Sequence, residues 1–127
     1  MTAAATIATV LLLMVSLFQL ALALGAPLGA AAWGGRHRGV LPAGFRVASA
    51  IAAIFVYPFV IVFVLASAEM VDVDWLSETG QTAMWILTGF FSIGAVANFA
   101  SRSKAERVWG PVSLGIAICC GVIAASV

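Results

Sequence analysis

The side chains best able to do chemistry in this sequence are basic, and they fall in two separate segments. Residues 25–46 contain three arginines, one histidine and no acid, and residues 101–107 contain two arginines and one lysine against a single glutamate. Guanidinium groups present paired N–H donors that suit phosphate and carboxylate oxygens. The pattern predicts a site for anionic lipid headgroups or another anionic ligand. Its candidate residues are Arg36, His37, Arg38, Arg46, Asn98, Arg102, Arg107 and Gln19, with Lys104 beside them.

The residues do not form a pattern typical of an enzyme. His37 is the single histidine, and the serines that could pair with it, Ser101 and Ser103, belong to the other basic segment. A catalytic triad also needs a positioned third group, which the sequence does not indicate. We therefore expect no enzymatic activity and no cofactor. A lipid- or quinone-modifying active site formed by Arg36, His37 and Arg102 is the least favoured alternative.

Metal and redox sites are weakly supported. Asp72, Asp74 and Glu78 are close enough in sequence to share one side of a loop, but an EF-hand needs more oxygen ligands and a central glycine. We expect no metal and keep these three acids as a weak candidate. Cys119 and Cys120 lie in an apolar stretch far from the positive charge that would make them reactive, so packing is the expected role.

The composition identifies the class of protein that must position these residues. Of the 127 residues, 64% are hydrophobic and only 9% are charged, with a mean hydropathy of +1.16. A soluble domain carries about a quarter charged residues, and disordered chains are poor in apolar ones. A net charge of +1 excludes the basic footprint of a nucleic-acid-binding domain. The sequence therefore predicts an integral membrane protein with no nucleic acid partner.

Four stretches satisfy the requirement of about 20 apolar residues for a membrane-spanning helix. They are residues 3–24, 47–68, 81–100 and 108–127. Each is continuously apolar, whereas barrel strands alternate at every second residue, so the prediction is all-α with a single transmembrane domain over residues 1–127. The first stretch has some likeness to a signal peptide, but no cation precedes it, and we expect a retained helix.

The distribution of charge predicts how these helices are oriented. All six cations lie in the first and third connections, whereas residues 69–80 contain four acids and no base. Lysine and arginine in short loops stay on the cytoplasmic side. The prediction is an up-down-up-down four-helix bundle with both termini outside and with residues 25–46 and 101–107 in the cytoplasm. A plainer interpretation of the cations is that they only set this orientation and contact bulk lipid phosphates.

The four tryptophans follow the same division. Trp33 and Trp109 lie beside the basic connections, and Trp75 and Trp85 lie beside the acidic one. Indole rings gather at the two headgroup levels of a membrane, so we expect all four to be interfacial anchors.

Glycine and proline leave two local questions. The first helix either ends near Leu24 or continues with a kink to Trp33, because glycines follow both positions. Pro58 lies in the middle of the second span and should clash with the carbonyl of Ile54 and kink the helix. Its neighbour Tyr57 needs a partner for its hydroxyl, and a hydrogen bond to another helix is favoured over a ligand site.

Polar and small residues near the ends of the spans suggest specific contacts. Gln19 and Asn98 lie at similar depths and are expected to bond to each other across a helix pair. Residues 103–106 match a capping box, which predicts a helix beginning at Lys104. Small residues that recur every fourth position in the last span permit close approach, either within the bundle or between subunits. These are Ser113, Ala117, Gly121 and Ala125.

Two segments carry a resemblance to a known family. GGRHRGVLP (residues 34–42) and NFASRSKAERVWGP (residues 98–111) resemble the connections of a family of small, uncharacterised bacterial four-helix integral membrane proteins. The resemblance implies the four-helix fold and a location in the bacterial cell membrane, but it implies no activity.

These observations favour a non-enzymatic multi-pass membrane protein that serves as an accessory or scaffolding subunit of the bacterial cell membrane. Its expected partners are membrane lipids with anionic headgroups on the cytoplasmic side, and either further copies of itself or another membrane protein. The alternative is a small channel or facilitator for a neutral or anionic solute. The interiors of the spans carry no ionisable side chain of the kind that proton-coupled transporters place in the transport path.

Overall fold

The computed structural model describes residues 1–126, apart from the side chain of Ser77, and within them the chain is helical with no strand. It contains four long helices, all long and apolar enough to cross a membrane, which confirms the all-α prediction. They are α1 (Thr2–Ala23), α2 (Ala43–Ser67), α3 (Asp74–Phe99) and α4 (Trp109–Ser126). The second and third begin at residues 43 and 74 rather than at 47 and 81, and Val127, the end of the predicted fourth span, lies outside the described residues.

The larger cluster of buried side chains lies in the half of the bundle away from the first and third connections. Leu12, Val64, Met84, Ile116 and Cys120 are all fully buried in it, and all four helices contribute. The thiols of α4 are free and buried in this cluster, as the packing interpretation predicted. The other half lies nearer the connections of residues 24–42 and 100–108. We call it the basic end of the bundle.

The small residues of α4 are used inside the bundle. Ala117 is buried, and a Cβ atom added to Gly121 would lie 3.6 Å from Cγ2 of Thr88 on α3. One turn into α4, the hydroxyl of Ser113 accepts a hydrogen bond from the side-chain amide of Asn98 at 3.3 Å. Ser113 and Gly121 of the four-residue repeat therefore lie against α3, whereas Ala125 is exposed.

The first helix ends at Ala23, which settles the choice between Leu24 and Trp33. Gly25 adopts a left-handed φ of +98°, and its N–H donates to the carbonyl of Leu22 at 3.1 Å. The next N–H, of Ala26, donates to the carbonyl of residue 21 at 3.0 Å. These two bonds form a Schellman motif, in which glycine at the left-handed position pairs otherwise unbonded carbonyls.

The chain then folds over the basic end in two short 3₁₀ turns, Gly29–Ala31 and Trp33–Gly35. The N–H of Gly29 donates to the carbonyl of Gly39 at 2.8 Å, and a Cβ atom on Gly29 would lie 1.9 Å from the carbonyl oxygen of His37. Only glycine allows this approach of two backbone segments.

Pro58 changes the local geometry of α2 in a different way from the predicted clash with the Ile54 carbonyl. The helix widens into a π turn at Ala52–Val56, and the N–H of Tyr57 donates to the carbonyl of Ala52 five residues earlier. Such turns occur where the regular hydrogen-bond ladder is interrupted.

The π turn leaves one backbone carbonyl of α2 without a hydrogen-bond donor in its own helix. In this register the carbonyl of Ala53 would accept from residue 58, but proline has no N–H. The hydroxyl of Ser16 on α1 donates to that carbonyl at 2.9 Å. The interruption in α2 is therefore repaired by α1, which fixes how the two helices pack.

The predicted capping box does not form. The hydroxyl of Ser103 donates to the carbonyl of Ala30 in the other connection, and a 3₁₀ turn at Glu106–Val108 leads into α4 at Trp109 rather than at Lys104. The local signal was wrong because a more distant carbonyl takes the serine hydroxyl. The same bond ties the two basic connections to each other.

We predict that Ser16→Ala lowers the free energy of unfolding by about 1 kcal/mol, because the Ala53 carbonyl loses its partner. In a Pro58→Ala background, which restores the missing N–H, we expect the same substitution to have little effect. Unfolding in mixed detergent micelles measures this double-mutant cycle. As a control, Thr9→Val removes a hydroxyl that bonds to a carbonyl of its own helix at 2.8 Å and should change less. Equal losses with and without Pro58 would contradict the assignment.

Candidate functional site

The two basic connections enclose an outer pocket with a volume of about 690 Å³. Arg36 and Arg38 line it from the first connection and Arg102 from the second, with Glu106 at its margin. All three arginines are exposed, and none forms a hydrogen bond or ion pair with another described residue. Three guanidinium groups from two segments are therefore free to bind an anion.

Close backbone contact holds the walls of the outer pocket together. Gly35 has a φ of +72°, and a Cβ atom on it would lie 2.4 Å from Cβ of Ser103. Glycine is needed here both for the left-handed conformation and for the contact with Ser103. Together with the bond from Ser103 to Ala30, this contact brings Arg36 and Arg102 into the lining of one pocket.

An inner cavity of about 520 Å³ lies directly beneath the outer pocket, and Gly34 and Glu106 line both. On α4 its lining extends from Trp109 to Ile116, a distance of about 10 Å for seven helical rises. Its apolar lining includes Val15, Phe18, Phe90, Phe91 and Ile116, and its polar lining includes Gln19, Tyr57, Asn98, Glu106, Trp109 and Ser113.

Three residues in the lining of this cavity each have a buried polar side-chain atom without a partner among the described residues. Oε1 of Gln19, Oε2 of Glu106 and Nε1 of Trp109 have no hydrogen bond to any described residue. The ring of Phe18 packs on the indole of Trp109 with centroids 4.6 Å apart. A buried unpaired polar group costs about 1–3 kcal/mol.

The predicted bond between Gln19 and Asn98 is wrong, although both amides line the inner cavity. Asn98 donates to Ser113 instead, and Oε1 of Gln19 stays unpaired. The predicted interhelical hydrogen bond of Tyr57 is also not found among the described residues, and its ring lines the cavity.

The tryptophans divide into two kinds. Trp75 and Trp85 are exposed at 63% and 52%, in agreement with an anchoring role. The indole N–H of Trp33 donates to the buried hydroxyl of Ser49 at 2.9 Å. Trp109 is only partly exposed, its Nε1 is buried, and the residue is in the lining of the inner cavity.

The residues of the predicted basic cluster fall into two groups, those that line the outer pocket and those that make contacts within the protein. Arg46 donates through Nε to the carbonyl of the last residue of α1 at 3.1 Å, and Arg107 donates to the carbonyl of Ser101 at 2.7 Å. His37 packs its ring on Phe45, with centroids 5.0 Å apart. These three side chains stabilise the connections and line neither pocket, so the grouping of His37 with the arginines as an active site is not assembled.

The acids of the second connection do not form a metal site. Among the described residues, no three acidic, histidine or cysteine side chains are placed to hold a metal ion. The weak candidate of Asp72, Asp74 and Glu78 is therefore not assembled.

Sequence reasoning missed Glu106 and Trp109 as site residues. Glu106 was assigned to the capping box, but it is in the lining of both the outer pocket and the inner cavity. One signal could have singled it out, since it is the only acid in the two basic segments.

Comparisons with protein-family models, with curated proteins and with solved structures gave no match for this chain. The resemblance to the bacterial four-helix family therefore stays a prediction. We infer function from the two pockets and the residues that line them.

We predict that Arg46→Ala lowers the free energy of unfolding by about 1 kcal/mol, because it removes a charged donor from the end of α1. Arg102→Ala should stay within about 0.5 kcal/mol of the parent, because Arg102 is exposed and unpaired. Unfolding in mixed micelles compares the two variants. A larger loss for Arg102 than for Arg46 would contradict this division into structural and binding arginines.

Proposed function

We propose that this chain is a non-enzymatic multi-pass protein of the bacterial cell membrane that binds an anionic amphiphile at the cytoplasmic end of its helices. The observation that carries the proposal is the direct contact between a cationic outer pocket and a largely apolar inner cavity, which share Gly34 and Glu106. A ligand with an anionic head and a hydrocarbon part matches both compartments.

Electrostatics support the head of the ligand in the outer pocket. Arg36, Arg38 and Arg102 contribute three positive charges against the single negative charge of Glu106. Charge-assisted hydrogen bonds from guanidinium to phosphate are roughly twice as strong as neutral ones. Because the described residues offer these arginines no partner, binding an anion breaks no existing ion pair.

The inner cavity supports entry from the membrane rather than from water. Phe90 lines the cavity and is 66% exposed, so the cavity opens on the outer surface of the helices beside this ring. In a membrane this surface faces lipid. An amphiphile can reach the site from the bilayer with its chain in the cavity and its head at the interface.

The contacts between helix ends support the up-down-up-down topology. Arg46 at the start of α2 reaches the end of α1, and Gln81 near the start of α3 donates to the carbonyl of Ala124 near the end of α4 at 3.1 Å. Asn98 at the end of α3 bonds to Ser113 at the start of α4. With the basic connections in the cytoplasm, both termini lie outside.

We further propose that the bound amphiphile is a ligand and not a substrate. The single imidazole, of His37, packs on Phe45 and is in the lining of neither pocket. The chain then acts as an accessory or scaffolding subunit with a second copy or another membrane protein as its partner.

A facilitator for a neutral or anionic solute is the second candidate, because the adjoining pockets form about half of a path across the bundle. Beyond Ile116, however, the bundle is filled by fully buried side chains that include Leu12, Met84 and Cys120. Solute flux into liposomes that is lost in Arg102→Ala would favour the facilitator over the binding protein.

We predict that Arg102→Ala weakens binding of dioleoyl phosphatidic acid to the purified protein by about tenfold, equivalent to about 1.4 kcal/mol. Lys104→Ala removes the same charge from the same connection but lies outside both pocket linings, and it should change binding less than about twofold. Native mass spectrometry in detergent measures both. Equal losses in the two variants would show that only net charge matters and would overturn the proposed site.

We predict that Arg36→Cys reacts with a membrane-impermeant maleimide from the cytoplasmic side only, and Asp72→Cys from the outer side only. Cys119 and Cys120 are buried, so the parent chain gives the background labelling. Labelling of positions 36 and 72 from the same side would contradict the proposed orientation.

A further inference from the structure

We infer that the outer pocket selects a phosphomonoester headgroup, as in a phosphatidic acid, over a phosphodiester headgroup. This inference rests on the proposed function and deepens it, because it names the class of head that the anionic amphiphile carries. The observation behind it is that three arginines, Arg36, Arg38 and Arg102, line one pocket and have no partner among the described residues.

The three arginines are within reach of a ligand. Arg36 and Arg38 come from the first connection and Arg102 from the second, and all three are exposed. Arg46 and Arg107 differ, because each donates to a backbone carbonyl and lines neither pocket. Like charges that line one pocket repel each other, and a bound anion reduces this repulsion. An anion with two charges reduces it further than an anion with one.

The charge of the lining favours a head with two negative charges. The three arginines and Glu106 contribute three positive charges against one negative charge, a net charge of +2. A phosphomonoester carries about −1.5 to −2 at neutral pH and balances this charge. A phosphodiester carries a single negative charge and leaves part of the positive charge of the lining uncompensated.

The hydrogen-bond donors of the pocket favour the same head. A guanidinium group binds two oxygens of a phosphate through paired N–H donors. A phosphomonoester has three terminal oxygens, which form three such pairs, whereas a phosphodiester has two and forms one. Ser101 in the lining offers a further donor, because its Oγ accepts the N–H of Ser103 at 3.2 Å and its own O–H bonds to no described residue.

Two other kinds of anion fit the site less well. A fatty-acid carboxylate has one charge and two oxygens, so it has the same shortage as a phosphodiester. A free phosphate ion satisfies the outer pocket but leaves the adjoining inner cavity empty, although Phe18, Phe90 and Phe91 give that cavity an aromatic lining. A lipid with a terminal phosphate uses both compartments.

The first experiment compares two lipids that differ by one methyl group. Dioleoyl phosphatidic acid and its methyl ester, dioleoyl phosphatidylmethanol, share their glycerol and both chains, but only the acid carries a second charge. We expect the acid to bind the full chain in detergent about tenfold more tightly at pH 8, measured by isothermal titration calorimetry. Equal binding of the two lipids would overturn the inference. Inorganic phosphate is a third arm, and binding as tight as that of the acid would also overturn it.

The preference should depend on the second ionisation of the lipid phosphate. Phosphate monoesters lose their second proton with a pKa of roughly 6, so at pH 5 about a tenth of the acid headgroups carry two charges. We therefore expect the acid to bind about tenfold more weakly at pH 5 than at pH 8, and the methyl ester to bind equally at both.

Two substitutions test whether this pH dependence belongs to the ligand. The charged groups that line the outer pocket are the three arginines and Glu106, and His37 lies in the first connection outside the lining. Glu106→Gln and His37→Asn should each keep the tenfold difference between pH 5 and pH 8 for the acid. Loss of the difference in either variant would assign it to the protein and contradict the inference.

The second experiment removes one guanidinium group and follows the preference. We expect Arg38→Ala to weaken the acid about tenfold and the methyl ester less than about threefold, which lowers the preference to about threefold. Its melting temperature without ligand should match that of the parent, because Arg38 is exposed and unpaired. Lys104→Ala, whose side chain is outside both linings, is the matched control and should keep the tenfold preference. Equal weakening of both lipids by Arg38→Ala would contradict a head that uses all three arginines.

Arg102→Ala separates the inference from the proposed function. The proposed function requires this variant to weaken the acid. If it does, but the parent binds the methyl ester as tightly as the acid, the inference fails and the proposed function stands. If Arg102→Ala does not weaken the acid, the proposed function fails.

Discussion

Backbone carbonyls that a helix cannot pair for itself determine how this bundle is assembled. In hydrocarbon no water is present to bond them, and each unsatisfied group costs several kcal/mol. Four such carbonyls are paired by a side chain from a different part of the chain, at the π turn, at the ends of α1 and α4, and in the first connection. The pairs are Ser16 with Ala53, Arg46 with Ala23, Gln81 with Ala124, and Ser103 with Ala30. The chain has few polar side chains, and several of them fix helix packing by bonding to backbone carbonyls of other segments.

The lining of the inner cavity departs from this pattern of paired polar groups. Three of the four buried side-chain atoms without a partner among the described residues belong to residues in this lining, Gln19, Glu106 and Trp109. The fourth, Oγ of Ser67, lies away from the cavity, close to Gly80. A bundle that pairs distant carbonyls so completely would gain stability by filling this space with apolar side chains. The same lining adjoins the outer pocket, whose three arginines also have no partner among the described residues.

The sequence was sufficient for features that depend on composition and insufficient for those that depend on rotation about a helix axis. Continuous apolar stretches identify the four helices, and charge identifies which connections share the basic end. Depth was also predictable, since Gln19 and Asn98 do line one cavity. Their mutual bond was not, because the direction of each side chain around its helix places Asn98 against Ser113. The capping box failed for a similar reason, because Ser103 bonds to a carbonyl 73 residues away.

The basic residues show how one charge pattern can serve two purposes. Orientation depends on the number of cations in a connection, and all six lie in the two basic segments. Binding depends on position, and only three of the six line the outer pocket while Arg46 and Arg107 bond to carbonyls. A single change in the pocket removes one cation in six, which leaves the charge difference across the membrane almost intact. The plain interpretation, in which the cations serve only orientation, does not explain why three of them surround a pocket that continues into a cavity with unpaired polar atoms.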